Sequence, residues 1–562
     1  MRASTWRLCP ADPARAASLA EALGLHPLTG QLLVNRRLTQ PSAAARFLHP
    51  GLETMGDPLA LPEMPAAIER LRRAIAARES ILIFGDSDAD GLTASVILYE
   101  TLRAQGASVR ARQSNRITDG YGLPRAFLKP IARSGVTLVI LVDCGTNQSE
   151  EVRLLADEGI DTIILDHHVP LEAAARPFAL VNPHCAGPEG RELCSAGLAI
   201  KMAQALWGPE AKERLLDCLD LGALGTLADY SPMTGESRAI LAEGMPRIVH
   251  SRRPGLQRLC DVTSTNEPEP EQILRKLVPK INASGRLGDA SPVWRMLLDG
   301  EQPVDDLLKA MDAAHAETRE LQRHIIGDAH EQVRRLHFKD EYVVVVSRAG
   351  WHQGLMGPLA AQLAQQYGRP AIAIAMDERQ GTGSGRSIPL FNLLQALRAC
   401  QGFLVRFGGH AQACGLTVDR KQLDRFRAVV NEHARSAMGP DGLVPTRVAD
   451  LELPVSAISA EWVREAAQFA PFGPGNPRPT VLIRDVSLEM KSPRTGSLVQ
   501  GSERRAARGM FEGLVSGGRY DVLASPSMTG EEVTLSLVDV KGAAAPLAPG
   551  LSAGTTCTPA AV

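Results

Sequence analysis

Ile81-Leu-Ile-Phe84-Gly85-Asp86-Ser87-Asp88-Ala89-Asp90-Gly91 is the stretch that decides the fold. A short apolar run ending in a Gly-Asp turn reads as a buried strand. A helical stretch, Thr93 to Gln105, follows it. Val136 to Val142 is a second buried strand and ends at Asp143. A helix at 149–157 leads to a third strand, Thr162-Ile-Ile-Leu165, which runs into Asp166-His167-His168. Strands alternating with helices at this spacing predict βαβ units and a mostly parallel sheet. Such sheets bind ligands in the crevice beyond the carboxyl ends of their strands. Three successive strands here deliver a carboxylate to that edge.

Asp86, Asp88 and Asp90 stand at alternate positions and repel one another unless a cation sits among them; hard divalent cations take oxygen ligands of this kind. An EF-hand loop has the same opening, but its twelfth position, counted from Asp86, is Ile97 instead of Glu, and a strand precedes it. Asp143, Asp166-His167-His168 and Asp229, in Leu224-Gly-Thr-Leu-Ala-Asp229, extend the candidate set. One imidazole among several carboxylates suits Mn²⁺ or Mg²⁺ and is poor for structural Zn²⁺. A shared carboxylate could bridge two ions about 3.5–4 Å apart, the arrangement for in-line displacement at phosphorus.

Outward from this core, residues 302–335 place Leu307, Met311, Ala314, Thr318, Leu321 and Ile325 on one helix face, as a core-packing helix or one connecting two lobes. Tyr342–Val346 and Ala371–Ala375 restart an α/β pattern. The region after 440 has more Pro and Gly and alternating strands, which reads as a small β-barrel. The expected domains are a helical segment at 1–60, an α/β domain at 61–300, a connecting helix at 301–337, a second α/β lobe at 338–440, a barrel at 441–542 and a disordered tail at 543–562. A length of 562 residues fits three or four domains. With 44% apolar and 22% charged residues, the chain has enough apolar surface to fold, so disorder as the main state is excluded. No run reaches 18 apolar residues, which argues against membrane spans, and the amino terminus lacks a signal-peptide core, so a cytoplasmic protein is expected. Nine scattered cysteines without a CxxC pair fit reduced thiols. A net charge of −2 neither announces nor excludes a nucleic-acid partner, which needs only a local basic patch.

Asp86-x-Asp88-x-Asp90-Gly91, Asp143, Asp166-His167-His168 and Ala223-Leu-Gly-Thr-Leu-Ala-Asp229 resemble the four motifs of the DHH phosphoesterase superfamily. Asn115-Arg116…Gly120-Tyr121-Gly122-Leu123, Leu193-Cys-Ser-Ala-Gly197, Pro279-Lys-Ile-Asn282-Ala-Ser-Gly285-Arg286, Gly350-Trp-His352-Gln-Gly354, Gly385-Arg386-Ser387-Ile-Pro389, Phe407-Gly-Gly-His410 and Pro471–Pro477 are similar to its RecJ single-strand exonuclease branch, in order over about 30–540. The resemblance implies two α/β lobes, a DHH domain and a DHH-associated domain, joined by a long helix, with a C-terminal OB-fold-like β-barrel. It implies Asp88, Asp143, His167 and Asp229 as core metal ligands, with Asp86 and Asp90 supporting a second Mn²⁺ or Mg²⁺. Asp88, Asp90 and His168 would act in catalysis, His168 facing the scissile phosphate or holding the cluster. Arg116, Asn282, Arg286, His352, Arg386, Ser387 and His410 would bind substrate. Ser87, Phe84, Lys280 and Gly385 depart from the usual pattern without removing a core ligand.

Glycine allows close backbone approach, so Gly381 to Ser387 is expected to be a phosphate-facing loop. Arg110, Arg112, Arg116, Arg125, Lys129 and Arg133 form a candidate backbone track, with Tyr121 available for stacking. Lys491, Arg494, Arg504, Arg505 and Arg508 form a second one on the barrel. The reading is a metal-dependent exonuclease of single-stranded DNA, 5′-to-3′ and releasing 5′-mononucleotides by resemblance, acting in repair and recombination. Resemblance also suggests a single-stranded-DNA-binding protein and a helicase as partners. The rivals are a short-oligonucleotide or cyclic-dinucleotide phosphodiesterase, a family II pyrophosphatase and a non-catalytic DHH scaffold in a replication assembly. The first two lack a C-terminal barrel, and the scaffold predicts eroded ligands.

Overall fold

The computed structural model describes residues 4–170, 174–185, 187, 190–300, 303–338, 340–439, 443–511 and 513–542. The expected tail at 543–562 lies outside them. The chain forms two compact units, Gly51–Leu443 and a second that combines the residues up to Pro50 with those from Val444 onward. Among the described residues no helix is long and apolar enough to cross a membrane.

The first unit opens on a five-stranded parallel sheet, in the order Ser108–Gln113, Ser80–Gly85, Leu138–Val142, Asp161–Leu165, Ala179–Val181. Its central strand, Leu138–Val142, is buried throughout, as its unbroken apolar run requires for a sheet covered on both faces. The helix after Ser80–Gly85 begins at Ala89, four residues before its expected start. The physical reason is Asp88. Its carboxylate accepts the backbone N–H groups of Asp90 and Gly91 at 3.2 and 3.3 Å, so the acidic stretch is a helix cap and first turn.

Helix Val304–Arg334 has 31 residues and is therefore about 46 Å long. Leu307, Leu308 and Met311 belong to the core of the first lobe, and Ile325, Ala329 and Val333 to that of the second. The helix thus both packs and connects. The second lobe is a mixed sheet ordered Leu404–Gly409, Ala413–Asp419, Gln380–Arg386, Ala371–Met376, Val344–Ala349, with only the last pair parallel. The expected glycine-rich loop is instead its central strand, Gln380–Arg386. A Cβ on Gly383 would stand 2.8 Å from the Ala373 carbonyl oxygen, and one on Gly385 2.6 Å from Leu393, so glycine there serves close packing.

In the second unit, six strands run in the order Leu451–Glu452, Val481–Ser492, Thr495–Gln500, Glu503–Arg508, Glu532–Gly542, Arg519–Thr529. Pairing of Val481–Ser492 with Arg519–Thr529 closes the barrel. The amino-terminal helices share its core: Leu19, Leu32, Leu33 and Leu48 join Trp462, Phe469 and Val481. The Glu465 carboxylate accepts the His26 N–H at 2.9 Å and the Thr29 hydroxyl at 2.7 Å, and Thr5–Leu8 pairs in parallel with Thr446–Ala449. Truncating a buried aromatic such as Trp462 to Ala would cost about 3–5 kcal/mol.

Candidate metal centre and phosphate cradle

The carboxyl edge of the parallel sheet gathers the acidic residues. Asp86 leaves its strand through a backbone bond to Val142, is 1% exposed, and accepts the Ser114 hydroxyl at 2.7 Å. Asp143 sits at φ +61°, a left-handed conformation tolerated best by Asn, Asp and Gly and often stored at functional sites. Asp90 accepts the Ser195 and Ala196 N–H groups at 2.9 and 2.8 Å, at the start of helix Ser195–Trp207, where the helix dipole favours negative charge. The Ser195 hydroxyl also donates to Asp143 at 2.9 Å. Asp229 caps the end of helix Leu219–Ala228 and accepts the Ser231 hydroxyl at 2.8 Å.

His167 Nε2 lies 3.4 Å from Asp143 Oδ1, 3.7 Å from Asp90 Oδ2 and 3.8 Å from Asp229 Oδ1. Ligand atoms about 2.0–2.2 Å from one small ion stand roughly 3–4 Å apart, so this set fits one divalent cation. Asp86, Asp88 and Asp143 form a second set, with ligand atoms within 4.8 Å of one another. Asp143 belongs to both. The geometry therefore differs from the expected core set: Asp90 stands with His167, while Asp88 stands with Asp86. Capping the helix fixes Asp88 at its mouth, and the turn that follows carries Asp90 round toward Ser195.

The charges behave as closely packed, buried carboxylates and imidazoles dictate. Burial, reinforced by Asp229, pushes the Asp90 carboxyl up to about 6. Burial, with Asp90 and Asp88, holds Asp143 well above the usual carboxylate range. Burial opposes the His167 charge, but Asp229 and Asp143 outweigh it and hold its pKa well above the ordinary value. Burial likewise opposes a charge on His168, but Asp166 prevails, and its pKa stands at about 9. The Asp166 carboxylate accepts His168 Nδ1 at 2.7 Å and the backbone N–H of Thr146 at 3.1 Å, so it orients the imidazole. Tyr121 places its hydroxyl 3.1 Å from His168 Nδ1 and donates to the Asp143 carbonyl at 3.1 Å.

The second lobe completes the site. His410 stacks on His168 and His167, with ring centroids 5.0 and 5.6 Å away, and its Nε2 is buried without a hydrogen-bond partner. Burial and the two charged neighbours push its pKa down to about 2, so it is neutral. Arg286 and Arg386 lie close enough to Arg116 for their charges to repel. Burial and these neighbours lower Arg286 to about 10, and burial lowers Arg386. Arg386 Nη1 donates to the Ser384 hydroxyl at 3.1 Å. Three guanidinium groups held together beside five carboxylates suit a phosphate placed between them and a metal pair. His352 is half-buried nearby with an unpartnered Nδ1, in a loop whose Gly354 packs on the Arg286 carbonyl.

Two expected substrate contacts are otherwise engaged. Asn282 uses its side-chain oxygen to accept the Ala89 N–H at 2.8 Å, which fixes the acidic turn. A Cβ on the adjacent Gly285 would fall 2.3 Å from the Ser87 carbonyl oxygen. Ser387 donates its hydroxyl to the Phe391 carbonyl at 2.6 Å, and Ser384, three residues earlier on the strand, takes the place beside Arg386. Of the expected basic track, Arg125 pairs with Glu150 and Glu151, and Arg112 lies over the Phe127 ring at 3.8 Å, whereas Arg116 reaches the site. On the barrel, Arg504 pairs with Glu489 at 2.7 Å and Arg505 with Glu503 at 3.4 Å, so the cluster is partly neutralised. Asp166 stands in the candidate set through its motif, whereas Ser195 and Ser384 lie within the candidate stretches without a role of their own.

Family models agree with this architecture: the DHH family N-terminal domain matches 80–226, the DHHA1 domain 340–436 and the RecJ OB domain 449–496. A single-stranded-DNA-specific exonuclease RecJ from Dickeya dadantii is 32% identical over 450 residues, covering 74% of this chain and 76% of its own. The Bacillus subtilis protein of the same name is 33% identical over 86% of this chain, which spans 62% of the length of that relative. A crystal structure of Thermus thermophilus RecJ with Mn²⁺ is 25% identical and superimposes with a TM-score of 0.82, covering 98% of this chain and 81% of that one. The chain belongs to the RecJ family, built from DHH, DHHA1 and OB domains.

Proposed function

We propose that the protein is a divalent-metal-dependent exonuclease that degrades single-stranded DNA from its 5′ end and releases 5′-mononucleotides. The observation that carries this is Asp143, shared by the Asp90–His167–Asp229 and Asp86–Asp88 sets, beside a cluster of arginines. The residues fit Mn²⁺ or Mg²⁺: Asp90, Asp143, His167 and Asp229 would hold one ion, and Asp86, Asp88 and Asp143 the other. A metal pair of this kind supplies Lewis-acid polarisation of the phosphate and an acidified water.

The chain's own groups do the rest. Arg286 and Arg386, joined by Arg116, bind a terminal phosphate through charge-assisted hydrogen bonds. A dianionic end matches three cations better than an internal monoanionic linkage, which favours a phosphorylated terminus, and family membership supports the 5′ end. His168 enters protonated, with Nδ1 held by Asp166, and can donate Nε2–H to the scissile phosphate. Neutral His410 stacks on that imidazolium and shields it from water. The barrel offers Lys491, Arg494 and Arg508 as further phosphate contacts for a single strand. Family membership also supports a cytoplasmic setting in repair and recombination, with a single-stranded-DNA-binding protein and a helicase as partners.

The deciding experiment digests 5′-labelled and 3′-labelled single strands with and without Mn²⁺. Early release of labelled mononucleotide from the 5′-labelled strand, only with metal, is expected. Release first from the 3′ label overturns the polarity. Cleavage confined to strands a few nucleotides long favours a short-oligonucleotide phosphodiesterase.

A further inference from the structure

Arg116 does not wait in solvent for a phosphate. Its Nη2 binds Asp88 Oδ2 at 2.9 Å and also Asp86 Oδ2, and its Nε lies 3.4 Å from Asp86 Oδ1. Asp86 and Asp88 are the carboxylates that, with Asp143, make up the second ligand set. Asp86 is buried, so without a cation among these groups its charge would be uncompensated; the guanidinium supplies that charge. The Arg116 side chain is 39% exposed, so it has room to leave. Asp86 and Asp88 touch it, Asp143 also acts on it, and the like charges of Arg286 and Arg386 stand within electrostatic reach. It therefore stands between two alternative partners, the carboxylates and an incoming phosphate.

We propose that Arg116 is a stand-in for the second metal ion, occupying the Asp86–Asp88 carboxylates until a terminal phosphate draws it away, so that substrate end and second ion bind cooperatively. This rests on the reading of the two ligand sets as a metal centre. The Arg116 Nε and Nη2 groups are all taken by Asp86 and Asp88, which leaves only Nη1, so a bidentate grip on a phosphate requires the guanidinium to turn away from these carboxylates. Phosphate binding thus releases the carboxylates for the ion, and ion binding releases Arg116 for the phosphate. By linkage each must strengthen the other by the same factor. The second ion would then be fully assembled only when a 5′-phosphorylated end is in place, which protects against hydrolysis by an unloaded site.

The test counts bound Mn²⁺ by the loss of its free paramagnetic resonance signal, on the full chain, with no turnover involved. The probes are thymidine 3′,5′-bisphosphate and, as its control, thymidine 3′-monophosphate. In the wild type one ion should bind tightly and one weakly. The bisphosphate should tighten the weak ion about tenfold, within the usual range of such coupling, and the monophosphate much less. In Arg116→Gln the second ion should bind about tenfold tighter without any probe, and the bisphosphate should add little. Arg116→Lys keeps a charge at the carboxylates and should keep the second ion weak. Two ions whose affinities are the same in wild type and Arg116→Gln overturn the inference while leaving the metal centre intact. Equal effects of the two thymidine probes on the wild type overturn it as well, and this arm stands even if the Gln variant does not fold. Failure of the wild type to bind any Mn²⁺ overturns the metal centre itself and the inference with it.

Discussion

Asp143→Asn should make the metal-free protein more stable and the enzyme inactive. Asn tolerates the φ of +61° at this position, so the backbone is not disturbed. The Ser195 hydroxyl that donates to Asp143 Oδ1 at 2.9 Å keeps an acceptor. What is lost is a buried carboxyl held well above its ordinary pKa by burial, Asp90 and Asp88. Like charges within 4.8 Å repel by about 3.5 kcal/mol or more at an effective dielectric of 20. Protonation bounds the cost, since neutralising a carboxyl of pKa about 3.9 at pH 7 takes about 4 kcal/mol. A gain of about 2–4 kcal/mol is expected at pH 7. The sign follows from linkage. A carboxyl whose folded pKa exceeds its unfolded one destabilises the fold above that pKa, and the penalty fades as pH falls toward 4. Over a unit of about 390 residues, such a gain raises its melting temperature by about 2–5 °C. Mn²⁺ at a hundred times its dissociation constant should stabilise the wild type by about 2.7 kcal/mol and the variant far less. The assays are calorimetric melting of metal-free and Mn²⁺-loaded protein, and turnover on a labelled strand. A variant that melts below the wild type without metal, gains the full Mn²⁺ shift, or turns over within about tenfold of the wild type would refute the reasoning.

Gly285→Ala should cost about 1–3 kcal/mol and reduce turnover, because its Cβ would meet the Ser87 carbonyl oxygen at 2.3 Å and push the acidic turn; an unchanged melting curve would remove that contact from the argument. A chain trimmed to 51–443 keeps every proposed ligand and should still cleave very short strands, while its affinity for long strands and the salt dependence of that affinity both fall. Trimming only the barrel would strand the apolar faces of Leu19, Leu32 and Leu33, so poor solubility of that form is expected beside a soluble 51–443. Mn²⁺ binding should release protons, since the ion displaces them from Asp90, with its pKa of about 6, and from His167. Affinity should therefore fall as pH drops through the raised His167 pKa and more steeply below about 6, where Asp90 also takes up a proton, and a pH-independent titration would count against these two ligands.

Much of the centre could be read in the chain because parallel strands are locally encoded. An apolar run followed by Asp, three times over, places Asp86, Asp143 and Asp166 at one sheet edge before any contact is known. The long helix at 304–334 was equally legible from its period. Which carboxylates share an ion was not. That depends on the helix starting at Ala89, a cap geometry that turns Asp88 and Asp90 toward different partners. The glycines between 381 and 385 have the composition of a loop. They form a strand because neighbouring strands leave no volume for side chains, a constraint that exists only once those neighbours are present.

The residues that hold the site came from far along the sequence. Asn282 fixes Ala89 across 193 positions, and His410 reaches His168 from the other lobe. The first 48 residues join the barrel's core through Leu19, Leu32 and Trp462. Local pattern determines which residues can be strand, cap or ligand, because hydrogen bonding and alternation act over a few residues. Pairing among Asp86, Asp90, Asp143, Arg116 and His410 was decided only by tertiary structure, because burial and Coulomb energy depend on distances in space that sequence spacing does not encode.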